Sequence, residues 1–208
     1  PGCWVQTHLA ENRGEVRAVR ALFPHASSYT DVYDRHGLLG PRTLLGHCIH
    51  LDESERRLLH ERGAVACFCP TSNLFIGSGL FDLGAMRAPA RPVRLGLATD
   101  IGGGTSYSML ATAAAAYTVL ELQGRAWHPL EAFHALTRGN ALALGLEGRI
   151  GRLAAGLEAD LVVLDPAATP AMAHRLERAA GDLADTLFVL QMLGDDRAVR
   201  ATYVLGEP

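Results

Sequence analysis

The sequence contains no lysine, so all 19 of its basic residues are arginines. This absence excludes chemistry that depends on a lysine amine, such as Schiff-base catalysis or the phosphate-binding lysine of a P-loop. Any catalysis has to rest on His, Asp, Glu, Cys or Ser side chains, or on a bound metal. The range of reactions open to the chain is therefore narrow.

Excess charge and long apolar runs are also lacking. A formal net charge of −3 gives no basic surface for nucleic acid, so we expect no nucleic-acid partner. No apolar run approaches the roughly 20 residues of a membrane-spanning helix, and the first residues do not resemble a signal peptide, so we expect a cytoplasmic protein without membrane association. The 49% hydrophobic content over 208 residues is enough for one sizeable core.

Cysteine is scarce, with only Cys3, Cys48, Cys67 and Cys69. Their uneven spacing and their position in predicted strands favour reduced, buried thiols over a disulfide framework. Cys67 and Cys69 form a possible half of a metal site, but no second cysteine pair completes tetrahedral ligation. We therefore favour a structural role for both.

Three apolar runs end in side chains that can bind a metal. One run stops at Asp100, and three glycines follow after Ile101, whereas two earlier runs end at His8 and His47. Each run reads as a short buried strand, and a helical pattern follows each. Because the strands of a parallel α/β barrel point their carboxyl ends at one face, we expect these three side chains to converge.

Two further polar residues lie close to these strand ends. Glu11 stands three residues after His8, at the turn into a helix that Asn12 caps, and it is interpreted as a proton shuttle rather than as a charge that complements the helix dipole. His50 follows His47 by three residues, and in extended backbone the two side chains point to opposite faces. We choose His47 for the site.

The strand count predicts the fold class, an α/β protein of (β/α)8 TIM-barrel type. Four strands, ending near His8, His47, Cys69 and Asp100, are each followed by helical sequence, whereas a complete barrel takes about 250 residues. We therefore expect residues 1–146 to form the second half of a barrel and residues 147–208 to form a small β-sandwich-like tail. The open sheet edges predict a homo-oligomer or association with a missing half-barrel.

Two connections are predicted in more detail. Residues 70–81 read as a long loop over the site, in which Asn73 and Ser78 offer hydrogen bonds to a ligand. After the three glycines, Ser106 is the predicted cap of a long helix. Residues 130–144 are then expected to form two short helices with a break at Gly139.

The assembled motifs resemble those of the amidohydrolase superfamily, and within it the purine deaminases that act on guanine. The resemblance is carried by residues 6–12 (QTHLAEN), 29–33 (YTDVY), 46–47 (GH), 69–81 (CPTSNLFIGSGLF), 99–106 (TDIGGGTS) and 156–165 (GLEADLVVLD). The superfamily's His-x-His pair from the first barrel strand has no counterpart in this sequence. A fold of metal-dependent hydrolase type is what the resemblance implies.

The resemblance also implies roles for individual residues. His8 and Asp100 match metal ligands, and His47 matches a histidine that is either a third ligand or a hydrogen-bond partner beside the metal. Glu11 matches the proton-shuttling glutamate, so the implied catalytic residues are Glu11, His47 and Asp100. The implied substrate contacts come from His8, Glu11 and Asp100. The implied cofactor is Zn²⁺, with Fe²⁺ as the alternative, and the implied substrate is a purine.

Two other functions remain open from the sequence. The same catalytic residues would serve deamination or dechlorination of another purine, a pterin or a triazine ring. The absent His-x-His pair is also compatible with a catalytically inert half-barrel that acts as a structural or interaction module.

Overall fold

The computed structural model describes residues 2–179 and 181–208. The chain forms two compact units, the first ending at Thr105 and the second beginning at Ser106. Over its described residues, the first unit contains four strands and five helices, in the order β1 Val5–Leu9, α1 Arg13–Leu22, α2 Tyr29–Arg35, β2 Thr43–His47, α3 Glu53–Arg62, β3 Val65–Phe68, α4 Pro70–Ile76, α5 Leu83–Met86 and β4 Arg94–Leu97.

A parallel sheet is the centre of the first unit. Its strands lie in the order β1-β2-β3-β4, and each neighbouring pair is parallel. Leu45 and Val65 are fully buried in the sheet and Phe81 is fully buried beside it. The prediction of half a TIM-type barrel with four strands is confirmed, and over the described residues the sheet does not close on itself. All four carboxyl ends therefore lie along one edge.

Side-chain caps fix where the first helices begin. Asn12 accepts a hydrogen bond from the Glu15 backbone N–H, and the Glu15 carboxylate accepts one from the Asn12 backbone, which completes a capping box at the start of α1. Asp52 and Glu55 repeat this arrangement at α3. The predicted cap Asn12 is confirmed. The α1 cap holds the turn that carries Glu11 next to the end of β1.

The prediction of a continuous loop over residues 70–81 is wrong for its first part. Pro70 opens α4 at a position where a helix does not need the missing N–H, and Gly77 ends the helix in the left-handed conformation with φ of 76°. The segment begins with Pro, Thr, Ser and Asn, which are common in loops. The same residue types are also favoured at the amino terminus of a helix, so their presence does not distinguish the two structures. The chain then leaves α4 toward the sheet edge.

Among its described residues, the second unit contains five α-helices and an antiparallel strand pair, in the order α6 Met109–Leu122, α7 Pro129–His134, α8 Asn140–Ala143, β5 Leu161–Leu164, α9 Pro170–Leu176, α10 Leu183–Leu193 and β6 Val199–Tyr203. Its buried apolar cluster includes Leu110, Met172 and Leu190. Whether a domain boundary lies near residue 146 stays a prediction. Among the described residues, no helix combines the length and apolar character needed to cross a membrane.

Two predictions in this unit are wrong. The cap of α6 is Ser108, whose side chain accepts from the Ala111 N–H, whereas Ser106 accepts a bond from the Ser108 N–H at 3.0 Å. Gly139 does not break the chain into separate helices, because a π-helical turn over Ala135–Gly139 joins α7 to α8. Such a turn accommodates one extra residue without ending the helical path.

Candidate metal and catalytic site

Three side chains converge at the carboxyl edge of the parallel sheet. His8 is the fourth residue of β1, His47 is the last residue of β2, and Asp100 follows the end of β4 at Leu97. One possible ligand atom from each of the three residues lies within 4.8 Å of the others. Two imidazole nitrogens and one carboxylate oxygen match the three protein ligands typical of catalytic zinc. The residues therefore fit a metal ion.

The backbone at this edge is held in an unusual conformation. Ala10, His47, Cys48 and Asp100 have φ values of 49°, 69°, 50° and 50°, in the left-handed region that non-glycine residues rarely adopt. Hydrogen bonds from the chain stabilise these turns, including one from the Gly104 N–H to the Asp100 carbonyl at 2.5 Å. Such backbone strain costs about 1–3 kcal/mol per residue and is concentrated at functional sites.

The His47 ring is oriented by Asn73. Both residues are 1% exposed, and His47 Nδ1 lies 2.9 Å from Asn73 Oδ1. An amide oxygen only accepts, so Nδ1 carries the proton of the neutral ring and Nε2 keeps its lone pair. Nε2 lies 3.6 Å from Glu11 Oε2 and 3.7 Å from Asp100 Oδ2. The basic nitrogen of His47 therefore faces the site.

Glu11 lies beside the three candidate ligands. Its Oε1 accepts a hydrogen bond from Ser78 Oγ at 2.8 Å, which leaves Oε2 facing His47. Its backbone N–H donates to Glu15 Oε2 at 2.8 Å. The side chain is 20% exposed, so water and substrate can reach the carboxylate. This arrangement suits a group that moves protons.

Tyrosines from α2 brace the strand that carries His8. Tyr33 donates its hydroxyl proton to the His8 carbonyl at 2.8 Å, and its oxygen lies 3.2 Å from the Tyr29 hydroxyl. Tyr29 in turn donates to Glu15 Oε1 at 2.9 Å. Sequence reasoning missed this role, since the only available signal was the four-residue spacing of the two tyrosines on a helix. The pair joins the end of β1 to the start of α1.

His50 and the cysteines are not part of the converging group. His50 Nε2 donates to the Ser78 carbonyl at 3.0 Å. Desolvation raises the pKa of Cys67 to about 11 and that of Cys69 to about 12, so both thiols are neutral near pH 7. All four cysteines are free, but Cys3 is exposed, so the expectation of buried thiols is wrong for that residue.

Asn73 and Ser78 were predicted to offer hydrogen bonds to a ligand. In the structure the Asn73 oxygen bonds to His47 and the Ser78 hydroxyl bonds to Glu11, and a contact of either residue with a ligand stays a prediction. Because these partners lie 26 and 67 residues away in sequence, no local pattern identifies them. Both side chains thus hold site residues in place.

Two glycines allow the chain to pass close to Asp100. A Cβ atom on Gly104 would lie 1.9 Å from the Thr99 carbonyl oxygen, and one on Gly103 would lie 2.8 Å from Ser72 Oγ and 3.3 Å from Asp100 Oδ2. The first contact is with backbone, which cannot rotate away. Glycine is therefore required by space at Gly104, whereas at Gly103 a larger residue would force the neighbouring side chains to shift.

Gly104→Ala is expected to destabilise the fold by about 1–3 kcal/mol or more, because the added methyl group overlaps a backbone oxygen. The matched control is Gly40→Ala, since a Cβ atom at Gly40 meets nothing within 4 Å. Urea unfolding midpoints of the two variants measure the difference. Equal midpoints would contradict this account of the turn.

The amino-acid sequence is similar to those of known proteins. The sequence model of the amidohydrolase family matches residues 2–208. Guanine deaminase from Escherichia coli is 46% identical over 206 residues, which is 99% of this chain and 46% of that protein. Guanine deaminase from Homo sapiens is 36% identical over 211 residues, with 98% and 46% covered. The chain spans about half the length of the curated relatives it matches.

Solved structures of deaminases have the same fold as this chain. The E. coli guanine deaminase structure superimposes with a TM-score of 0.95 at 46% identity, covering 100% of this chain and 48% of that chain. An adenosine deaminase structure from Xanthomonas campestris with bound zinc has a TM-score of 0.82 at 26% identity, covering 99% and 45%. The fold seen here is therefore shared with a zinc-containing deaminase.

Proposed function

This chain belongs to the amidohydrolase family, and we propose that it is the part of a guanine deaminase that carries the proton shuttle and up to three metal ligands. The reaction is hydrolysis of guanine to xanthine and ammonia. The observation that carries the proposal is the convergence of His8, His47 and Asp100 within 4.8 Å, with Glu11 beside them. The guanine deaminases among its relatives support the choice of substrate.

Members of the amidohydrolase family are metal-dependent, and we assign Zn²⁺ to the site, with Fe²⁺ as the alternative. His8, His47 and Asp100 would hold the ion, with His47 using the Nε2 lone pair that the Asn73 bond leaves free. A zinc ion supplies Lewis acidity, which makes water nucleophilic near neutral pH. The zinc in the related adenosine deaminase supports this assignment.

The acidic side chains supply the proton transfers. The oxygen of water adds to the guanine carbon that bears the amino group, and Asp100 accepts the proton that water loses and passes it to Glu11, which delivers it to the adjacent ring nitrogen. The proton of the new hydroxyl group follows the same route to the leaving amine, so a carbonyl forms, the carbon–nitrogen bond breaks, ammonia departs and both carboxylates return to their starting state. A glutamate that stays off the metal has the same role in zinc deaminases of unrelated fold. His8, Glu11 and Asp100 are the proposed substrate contacts.

The sheet edges indicate what completes the enzyme. Over the described residues, β1 and β4 each have a paired strand on one side only. Parallel strands with uncovered edges favour further pairing. We propose that the other half of a barrel closes the sheet, either from the same polypeptide or from a second copy of the chain.

Two further assignments belong to this proposal. The free thiols of Cys67 and Cys69 are compatible with a reducing compartment, which supports a cytoplasmic enzyme. The net charge of −3 supports a small-molecule substrate rather than nucleic acid.

A substrate panel tests the proposed function. The chain is expressed alone and in a version extended upstream by the remaining barrel half, and each is supplied with Zn²⁺ and offered guanine, adenosine or a triazine. We expect xanthine and ammonia from guanine with the extended version, and little turnover with the chain alone, because a half-barrel lacks one wall of the pocket. Faster turnover of another ring, or equal rates for the two versions, would contradict the proposal.

A further inference from the structure

We propose that Ser78 is a positioning residue for Glu11, so that its hydroxyl decides which carboxylate oxygen serves the proton transfer. The inference rests on the proposed function, because it assigns a purpose to the orientation of the shuttle. It begins from the bond between Ser78 Oγ and Glu11 Oε1 at 2.8 Å, which joins residues 67 positions apart. No direct contact of Ser78 with substrate or metal is involved.

Glu11 needs an external support to hold one orientation. It lies in the short turn between β1 and α1, directly after Ala10 with its φ of 49°. Its backbone is held by Glu15, but that bond leaves the side chain free to rotate. The carboxylate is partly exposed, so water competes for both of its oxygens. A hydrogen bond to a charged group is among the stronger ones in proteins, and the Ser78 hydroxyl provides it.

Ser78 is itself fixed in three ways. Its N–H donates to the Asn73 carbonyl at 2.9 Å, its carbonyl accepts from His50 Nε2 at 3.0 Å, and the residue is only 7% exposed. The neighbouring Gly79 also lies against Ile49 and His50, since a Cβ atom there would approach Ile49 Cγ2 to 3.1 Å. The hydroxyl is therefore presented from a rigid backbone rather than from a mobile loop.

The bond to Ser78 gives the two carboxylate oxygens of Glu11 different roles in the proton transfer. Oε1 is occupied by Ser78, and Oε2 points toward the site, 3.6 Å from His47 Nε2. A proton carrier works only when its acting atom is within reach of the donor and the acceptor, and small displacements cost large factors in rate. His50, which does not face the converging ligands, contributes through the Ser78 backbone.

The kinetic test uses the extended protein with zinc. Ser78→Ala is expected to lower kcat for guanine by about 10- to 100-fold while KM changes by about twofold or less, and Ser78→Thr, which keeps a hydroxyl, is expected to restore most of kcat. In a Glu11→Gln background, Ser78→Ala should add little further loss, because the residue it positions has already lost its function. Ser54→Ala, an exposed helix-start serine, is the matched control.

An NMR experiment tests the role of Ser78 without an activity assay. In the ¹³C-labelled chain of 208 residues, the Glu11 carboxyl signal should shift and broaden in Ser78→Ala and stay near its original position in Ser78→Thr. If Ser78→Ala does not fold, His50→Ala and His50→Gln provide the same comparison, since glutamine can donate to the Ser78 carbonyl. Full additivity with Glu11→Gln, or an unchanged carboxyl signal, would overturn the inference. Absence of guanine turnover in the unmutated protein would instead count against the proposed function.

Discussion

Glu11→Gln is expected to retain zinc and to lower guanine turnover by about 10²- to 10⁴-fold, the usual contribution of a general acid–base group. The amide keeps the shape of the carboxylate, and its oxygen can still accept from Ser78 Oγ. It cannot accept and release a proton near neutral pH. Initial rates of xanthine formation and the zinc content of the purified protein measure the two effects separately.

Glu53→Gln is the matched control for this experiment. Glu53 is an exposed residue in the first turn of α3, where it pairs with Arg56 and Arg91 at the surface. Such pairs contribute little to stability, so this variant should keep both activity and zinc. Loss of zinc from Glu11→Gln would show that Glu11 is a metal ligand, contrary to the role assigned here.

The second large effect is expected from Asp100→Asn. Loss of a residue that only hydrogen-bonds to a metal ligand weakens metal binding by roughly 10- to 100-fold. Because Asp100 is itself a proposed ligand, we expect the zinc affinity to fall by more than that. The change replaces the negatively charged carboxylate ligand of the converging group with a neutral amide. It also removes the base that accepts the proton from water. Competition with a coloured chelator measures the zinc affinity, and the xanthine assay measures turnover.

Asp185→Asn is the control for the loss of one carboxylate charge. Asp185 is exposed in the first turn of α10 and is not part of the converging group. This variant should bind zinc as the unmutated chain does. Unchanged zinc affinity in Asp100→Asn would exclude Asp100 as a ligand and would require another third donor.

The convergence of His8, His47 and Asp100 followed from the sequence because it depends on a strong rule. Apolar runs locate buried strands, strands separated by helices pair in parallel, and parallel strands end at one edge. The bounds of β2, Thr43–His47, agree with the apolar run that ends at His47. The capping signal of Asn12 located the start of α1 in the same direct way.

What the sequence could not predict depends on contacts between distant residues. The bonds from Asn73 to His47 and from Ser78 to Glu11 leave no periodic trace in sequence. The left-handed backbone at His47 and Cys48 was not predictable either, since neither residue is a glycine and local preference opposes that conformation. Tertiary structure overrides local preference at this edge, where the functional residues lie.

The most direct test of the central claim is the position of zinc in crystals of the protein grown with Zn²⁺, located by anomalous scattering at the zinc absorption edge. Our account predicts one strong peak among His8, His47 and Asp100, with Glu11 beside the peak but not bound to it. A peak at Cys67 and Cys69, or no peak among the three converging side chains, would contradict it.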